Sequence, residues 1–423
     1  MRIGLVLLLK GYGGVYQYTL NILQAFVHLK KKGLTHEFTI FTEDYDQPEV
    51  TKLVKQGWVV QPLDPPSRKK YMKYVAAKLL SKFMDINTLT KYLEARKAIM
   101  QKIKINTKMH KWFKKFNIQL LIYPTVHPLS FEVDIPYIMA IHDIQHRIQP
   151  EFPEVSRGGE WESREYMFRN GVNNSLLLLA ESEVGREDIL HYYNDYGAKD
   201  DNVKVLPYLP AYYLIDSFRK YKKKKNLQIN NLPSRYIFYP AQFWPHKNHL
   251  RIIKALGSLK KTKNLDIVFV CCGMKTGGIR EHTFDEMMRQ ANLMGISQNI
   301  HYLDYVKDED MYSLYKKAVA LIMPTFFGPT NIPVLEAWAV GCPVLTSDIR
   351  GIREQMGDAA LLVNPSSVEE IKSGIYRLWT QDDLRQKLIL RGKRKLSGYT
   401  FSDFCNKWNN ILEVAESMLK KQN

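Results

Sequence analysis

Lys247 stands in the run YIFYPAQFWPHKNHLRIIKAL, where an apolar stretch passes through a polar loop into a helical pattern. His246, Lys247, Asn248 and His249 fall at the start of that helix. A helix dipole favours negative charge at this end, so a lysine there is poorly placed for the fold. At the carboxyl end of a strand it suits a phosphate group; a lysine pointing into solvent is the plainer account. A second run is PTFFGPTNIPVLEAWAVGCPVLTSD. An apolar strand ends at Pro324, a loop of Gly, Pro, Thr and Asn follows, and a helix then carries Glu336 among Val334, Leu335, Ala337, Trp338, Ala339 and Val340. A partly buried carboxylate has to be satisfied by hydrogen bonds or by a charge. The vicinal hydroxyls of a ribose would supply the first, and a structural salt bridge the second.

A third run, KGYGGVYQYTLNILQAF, puts Gly11, Gly13 and Gly14 in a turn ahead of an amphipathic helix. Glycines let a backbone come close to a ligand, and the helix N-terminus offers N–H groups to an anion. A plain tight turn is the alternative. A dinucleotide fingerprint would need a third glycine and an acid at the end of the next strand, and neither stands at the expected distance. The triplet DED at 308–310 matches the Asp-x-Asp of metal-dependent sugar transfer. It precedes the helical stretch MYSLYKKA, where acids are ordinary first-turn residues, so no metal is expected.

The elements that must position these residues alternate. Strand-like runs are IGLVLLL, EFTIFT, IQLLIYP, PYIMAIHD and SLLLLAES in the first half, then YIFYPA, DIVFVCCG, NIHYLDY, VALIMPT and CPVLTSD. Helical stretches separate most of them, the pattern of a parallel α/β sheet. A chain of 423 residues suits two domains. The pattern lapses over residues 200–233, where lysines, asparagines and a proline suit an exposed linker.

Charge is unevenly spread. Residues 68–116 hold 15 Lys or Arg against Asp85 and Glu94, which is +13 of the chain's +18. Tyr71, Val75, Leu79 and Phe83 recur every four residues, and Ile99, Ile103, Trp112, Phe113 and Phe116 follow. These are basic amphipathic helices: either the core side of surface helices, or faces that lie on an anionic membrane. No nucleic-acid-binding signature accompanies the charge, so no nucleic acid is expected. Cys271, Cys272, Cys342 and Cys405 have neither zinc nor disulfide spacing, which points to a reducing compartment. The N-terminal MRIGLVLLLKG reads as a first strand rather than a signal peptide, and no window is apolar enough to span a bilayer.

In order along the chain, these runs resemble the retaining glycosyltransferases of the GT-B fold, family four. GGVYQYTLNILQAF resembles the family's glycine-rich opening, MAIHDIQHRIQPEFP its His-Asp segment, and AESEVGREDI its serine-containing strand end. The most specific stretch runs from HYLDYVKDEDMYSLYKKAVALIMPTFFGPTN into IPVLEAWAVGCPVLTSD. Two departures mark a variant subgroup with FGPTN and QFWPHKNH. Gly328 stands where the family usually has an acid, eight positions before the helix glutamate, and Gln242 stands where it has an arginine, five before the lysine.

The resemblance implies an α/β fold of two Rossmann-like parallel-sheet lobes facing each other across a cleft. Residues 1–215 would be the N-terminal acceptor lobe, with a basic insertion at about 66–116. Residues 216–400 would bind the nucleotide sugar, and 401–423 would be a C-terminal helix packing back toward the N-terminal lobe. It implies transfer of a hexose, with retention, from a GDP-, UDP- or dTDP-linked sugar to a glycan or lipid-linked oligosaccharide in bacterial surface polysaccharide assembly. The donor is a co-substrate, and no cofactor is implied. By matched position Lys247 binds the diphosphate, with Gln242 beside it and the backbone around Thr330, Asn331 and Ile332. Glu336 holds the ribose. Gly13 and Gly14 approach the diphosphate or acceptor, and His142 contacts the donor sugar near the reacting carbon. The expected location is the cytoplasm, peripheral on the inner face of the membrane through residues 68–116. The alternatives are a basic membrane- or nucleic-acid-binding protein without catalysis, and a GT-B-type sugar-nucleotide epimerase.

Overall fold

The computed structural model describes residues 1–7, 13–64, 103, 105–214 and 232–422. The chain divides into two units, one of residues 1–151, 155–207 and 402–423, the other of residues 152–154 and 208–401.

The first unit is built on a seven-stranded parallel sheet of order β3-β2-β1-β4-β5-β6-β7. Its strands are β1 (Arg2–Leu7), β2 (Glu37–Thr42), β3 (Val59–Pro62), β4 (Leu120–Tyr123), β5 (Tyr137–Ile141), β6 (Leu177–Ala180) and β7 (Val203–Val205). β1 pairs with β2 in the register Arg2↔Glu37 through Leu7↔Thr42. The central strands β4, β5 and β6 are buried at every position. A parallel sheet is covered on both faces, so these strands are continuous apolar runs rather than alternating ones. The C-terminal helix Phe401–Gln422 joins this unit from Ser402 onward. Trp408 on it is fully buried and meets Phe26 edge-on at 4.9 Å.

The second unit carries a six-stranded parallel sheet of order β10-β9-β8-β11-β12-β13. Here β8 is Ile237–Pro240, β9 Phe269–Cys272, β10 Ile300–Tyr302, β11 Ala320–Met323, β12 Val344–Ser347 and β13 Leu361–Val363. The topology switches between β8 and β11, and in such sheets ligands bind outside the carboxyl ends of the strands at that point. All four cysteines are buried and unbonded to one another.

The ten strand-like runs of the sequence are all strands. The structure adds β3, β7 and β13, each at the edge of its sheet. β7 falls inside the stretch expected to be linker; Lys204 and its neighbours pair with β6 instead. Of the basic segment, residues 68–102 and 104 lie outside the described residues, Tyr71 and Phe83 among them. Its last helix, Thr107–Lys115, is described. Phe113 is fully buried against Phe41, with ring centres 4.7 Å apart, and the Trp112 Nε1–H donates to the Pro62 carbonyl at 3.0 Å. Phe113 therefore belongs to the first core and is not available for membrane insertion, while Trp112 is partly buried against that core. Lys111, Lys114 and Lys115 on the same helix are exposed. Among the described residues no helix is long and apolar enough to cross a membrane.

Candidate active site

In the second unit, the loop after β8 folds into a short 3-10 turn, Pro245–Lys247, then the helix His249–Lys263. The backbone of Lys247 is held at both ends: its N–H donates to the Trp244 carbonyl at 2.9 Å, and its carbonyl accepts from the Tyr239 hydroxyl at 3.2 Å. Asn248 has φ 64°, and its buried side-chain amide donates to the carbonyls of Pro324 and Pro365, both at 2.8 Å. His249 is a core residue rather than a ligand group. It packs between Tyr239 and Phe243, and burial pushes its pKa down to about 3, so it is neutral.

The His246 carbonyl joins the two motifs. It accepts from the Phe326 N–H at 2.8 Å and from the Thr325 hydroxyl at 3.2 Å, both in the loop after β11. The His246 ring stacks on Phe327, with centroids 3.9 Å apart and planes 4° from parallel. From residues 152–154 of the same unit, a Glu154 oxygen accepts both the His246 backbone N–H at 3.0 Å and its Nδ1–H at 2.5 Å. The other Glu154 oxygen is buried without a partner, and burial raises this carboxyl above its usual range.

The helix Ile332–Val340 opens with Asn331 as its N-cap and Pro333 in its first turn. The Asn331 N–H is already engaged, donating to Gln355 Oε1 at 3.1 Å, and its side chain donates to the Phe327 carbonyl at 3.3 Å. Thr330 Oγ1 is buried without a partner. Glu336, 7% exposed, accepts from the Tyr315 hydroxyl at 2.6 Å. A tyrosine thus takes the place of the salt bridge that the sequence left open. Burial lifts the Glu336 carboxyl to about 7; the Tyr315 hydroxyl opposes that, and Asp308 adds to it. Asp308 opens the helix Asp308–Lys317, which places the DED acids in a first turn.

Gly328 has a physical reason. A Cβ there would lie 3.3 Å from the Arg350 carbonyl oxygen and 3.4 Å from Ile352 Cγ1, so an acidic side chain would be pressed against a carbonyl. The same loop brings Gly351, at φ 84°, so close to Pro329 that a Cβ would fall 2.3 Å from the proline ring.

In the first unit, Gly13, at φ 90°, precedes the helix Gly14–Lys31. A Cβ on Gly13 would meet nothing within 4 Å, so the backbone conformation, not crowding, selects the glycine. Gly11 lies outside the described residues. His142 follows β5 and lies edge-on to Tyr18 of that helix, 5.0 Å between ring centres, and its Nε2–H donates to the Pro124 carbonyl at 2.8 Å. Burial lowers its pKa, which favours the neutral ring. The structure therefore assembles Gln242, Lys247, Thr330, Asn331, Ile332 and Glu336 around strand ends of one unit, and Gly13, Gly14 and His142 around those of the other.

Sequence reading missed several charged groups. Glu165 is fully buried and is bonded by His146, Arg147, Arg169 and Tyr193. Burial alone would raise its carboxyl, but these donors hold it far below the usual range. Glu181, at the end of β6, is lifted by burial to about 8. The only sequence signal for it was an acid at the end of an apolar run.

Residues 219–395 match the family model for glycosyl transferases group 1. The chain is 24% identical over 272 residues to the O-antigen chain mannosyltransferase B of Escherichia coli, covering 63% of this chain and 67% of that one. It is 31% identical over 213 residues to the O-antigen chain mannosyltransferase RfbU of Salmonella typhimurium, covering 50% and 54%. Among solved structures, Anabaena HepE in complex with UDP-glucose superposes with a TM-score of 0.62 at 14% identity, over 98% of this chain and 99% of that one. Residues 219–395 thus resemble a group 1 glycosyl transferase domain, and the chain as a whole has the two-sheet GT-B architecture of its solved neighbours.

Proposed function

We propose that the protein is a retaining glycosyltransferase that moves a hexose from a nucleoside-diphosphate sugar to a glycan or lipid-linked acceptor in surface polysaccharide assembly. The observation that carries this reading is the bonding at the His246 carbonyl, which fixes the Lys247 turn against the loop that leads into helix Ile332–Val340. A lysine and a helix N-terminus at adjacent strand ends are what a departing diphosphate needs. Negative charge grows on the leaving group as the sugar becomes oxocarbenium-like, and fixed donors in a partly dry site stabilise it without reorganising. Glu336 sits one turn further along that helix and receives the ribose hydroxyls; the Tyr315 hydroxyl keeps one carboxylate oxygen occupied and aims the other. His142, held neutral by burial and with its Nε2–H on the Pro124 carbonyl, turns Nδ1 to accept a hydrogen bond from a hydroxyl of the transferred sugar. No step requires a metal. The O-antigen mannosyltransferases it resembles support a polysaccharide acceptor, and HepE supports a nucleotide sugar as donor. The exposed lysines of helix Thr107–Lys115, with the rest of the basic segment, dock the protein on an anionic membrane where a lipid-linked acceptor lies.

The experiment is incubation with a panel of GDP-, UDP- and dTDP-sugars, with and without polyprenyl-linked acceptors, followed by NMR of the product anomer. One donor consumed with retention supports the reading. A released sugar-nucleotide isomer without acceptor would replace it with an epimerase, and no turnover of any donor would favour a non-catalytic binding protein.

A further inference from the structure

We propose that Arg280 supplies the second positive charge of the diphosphate site, taking over from a different helix the role of the arginine that the resembling enzymes carry at position 242. This rests on the donor-site reading above and names a group in it that the sequence motifs do not contain.

Gln242 follows β8, and its side-chain oxygen is occupied. Oε1 accepts from Arg280 Nη1 at 3.0 Å and from Trp244 Nε1 at 3.0 Å. The Arg280 guanidinium also lies over the Trp244 ring, 4.7 Å from its centre. The glutamine therefore does not replace the arginine; it holds one. β8 and β9 are adjacent parallel strands, so the loop after β9 that leads to Arg280 leaves the sheet at the same carboxyl end as the Lys247 turn. A Cβ on Gly277, at φ 98°, would sit 3.0 Å from Arg280 Nη2. Arg280 lies in the first turn of helix Ile279–Leu293, opposed to the helix dipole as Lys247 is. Its Nε is buried without a hydrogen-bond partner, and among the described residues it makes no ion pair. A half-buried guanidinium with an unused buried donor and no counter-charge is costly unless an anion completes it. Its planar fork matches phosphate oxygens in pairs, a geometry that the stacking on Trp244 preorganises.

The alternative is that Arg280 merely clamps the 241–244 loop. Calorimetry with a nucleoside diphosphate and the monophosphate of the same base separates the two, because the ratio of their affinities isolates the outer phosphate. Wild type, Arg280→Gln, Lys247→Ala and the double variant Gln242→Arg/Arg280→Gln are compared. The expected result is a ratio about tenfold lower in Arg280→Gln, with monophosphate affinity little changed, and recovery of most of the loss when the arginine is moved to position 242. An unchanged ratio in Arg280→Gln, with a lowered one in Lys247→Ala, overturns the proposal and leaves the donor site standing. An unchanged ratio in both overturns the donor-site reading itself. Where Arg280→Gln does not fold, Arg280→Lys carries the test: it keeps the charge and loses the fork, and the ratio is expected to fall several-fold, whereas an unaltered ratio counts against the proposal.

Discussion

The Tyr315 hydroxyl donates to Glu336 at 2.6 Å inside the second unit, and that hydrogen bond does not bring the carboxyl back to its usual range. The folded chain keeps a proton on Glu336 up to about pH 7, while the unfolded chain releases it near pH 4.3. Between those values the unfolded state binds fewer protons, so stability falls as pH rises through the window and levels off above it. The loss is about 4 kcal/mol for this group. Glu181, lifted to about 8, acts in the same direction. Glu336→Gln keeps an oxygen for Tyr315 and removes the ionisation. It is expected to melt above wild type at pH 8 and close to it at pH 5, while binding donor more weakly. Melting curves across pH 5 to 8 check this, and parallel curves for the two proteins would contradict it.

Gly351 meets Pro329 at a distance no Cβ tolerates, in a backbone conformation that non-glycine residues rarely adopt. Gly351→Ala should cost about 1–3 kcal/mol. It should also weaken nucleoside-diphosphate binding, because the displaced proline sits in the loop feeding helix Ile332–Val340. Chemical denaturation and calorimetry read the two effects, and unaltered binding would detach this loop from the site.

These features differ in how legible they were. Strands such as Leu120–Tyr123 and Ala320–Met323 are buried on both faces, so they appear as uninterrupted apolar runs. Val59–Pro62, Val203–Val205 and Leu361–Val363 are short edge strands with partly exposed residues; a polar residue interrupts the first two, and the third lies in the five-residue apolar run AALLV, too short to stand out beside the longer ones. The same contrast holds in the site. Lys247, Asn331 and Glu336 stand out because each breaks the local logic of a strand, turn or helix. Glu154 and Arg280 do not, since their meaning lies in partners 92 and 38 residues away, His246 and Gln242. In the basic segment, the aromatics of helix Thr107–Lys115 have the spacing of an amphipathic face whether that face meets a membrane or a core. Phe41 and Pro62, from distant strands, decide it.

Metal removal should leave the enzyme working. The DED acids occupy the first turn of helix Asp308–Lys317, and in the proposed mechanism Lys247 and N–H donors meet the charge on the leaving group. Turnover in EDTA is expected to equal turnover without it. Full loss in EDTA, restored by manganese or magnesium, would assign the Asp308 region a catalytic cation.

Membrane docking, if it runs through the lysines rather than the aromatics, separates by mutation. Anionic vesicles should sediment the protein at low salt and release it at high salt. Replacing Lys69, Lys70, Lys73, Lys114 and Lys115 with glutamine should weaken binding. Phe113→Ala, by contrast, should cost about 3–5 kcal/mol of stability through a cavity beside Phe41. Equal partitioning onto neutral and anionic vesicles, or none onto either, would remove the membrane from the account.

The most direct test of the donor site is thermal shift against UDP, GDP, dTDP and ADP, in wild type, Lys247→Ala and Glu336→Ala. A ligand that binds only the folded chain adds about 2.7 kcal/mol at one hundred times its Kd. One nucleoside diphosphate is expected to raise the melting temperature of wild type. Both variants are expected to fold, lose most of that shift, and turn over about a hundredfold more slowly once the donor sugar is known. A full shift and near-normal rates in both variants would contradict the account.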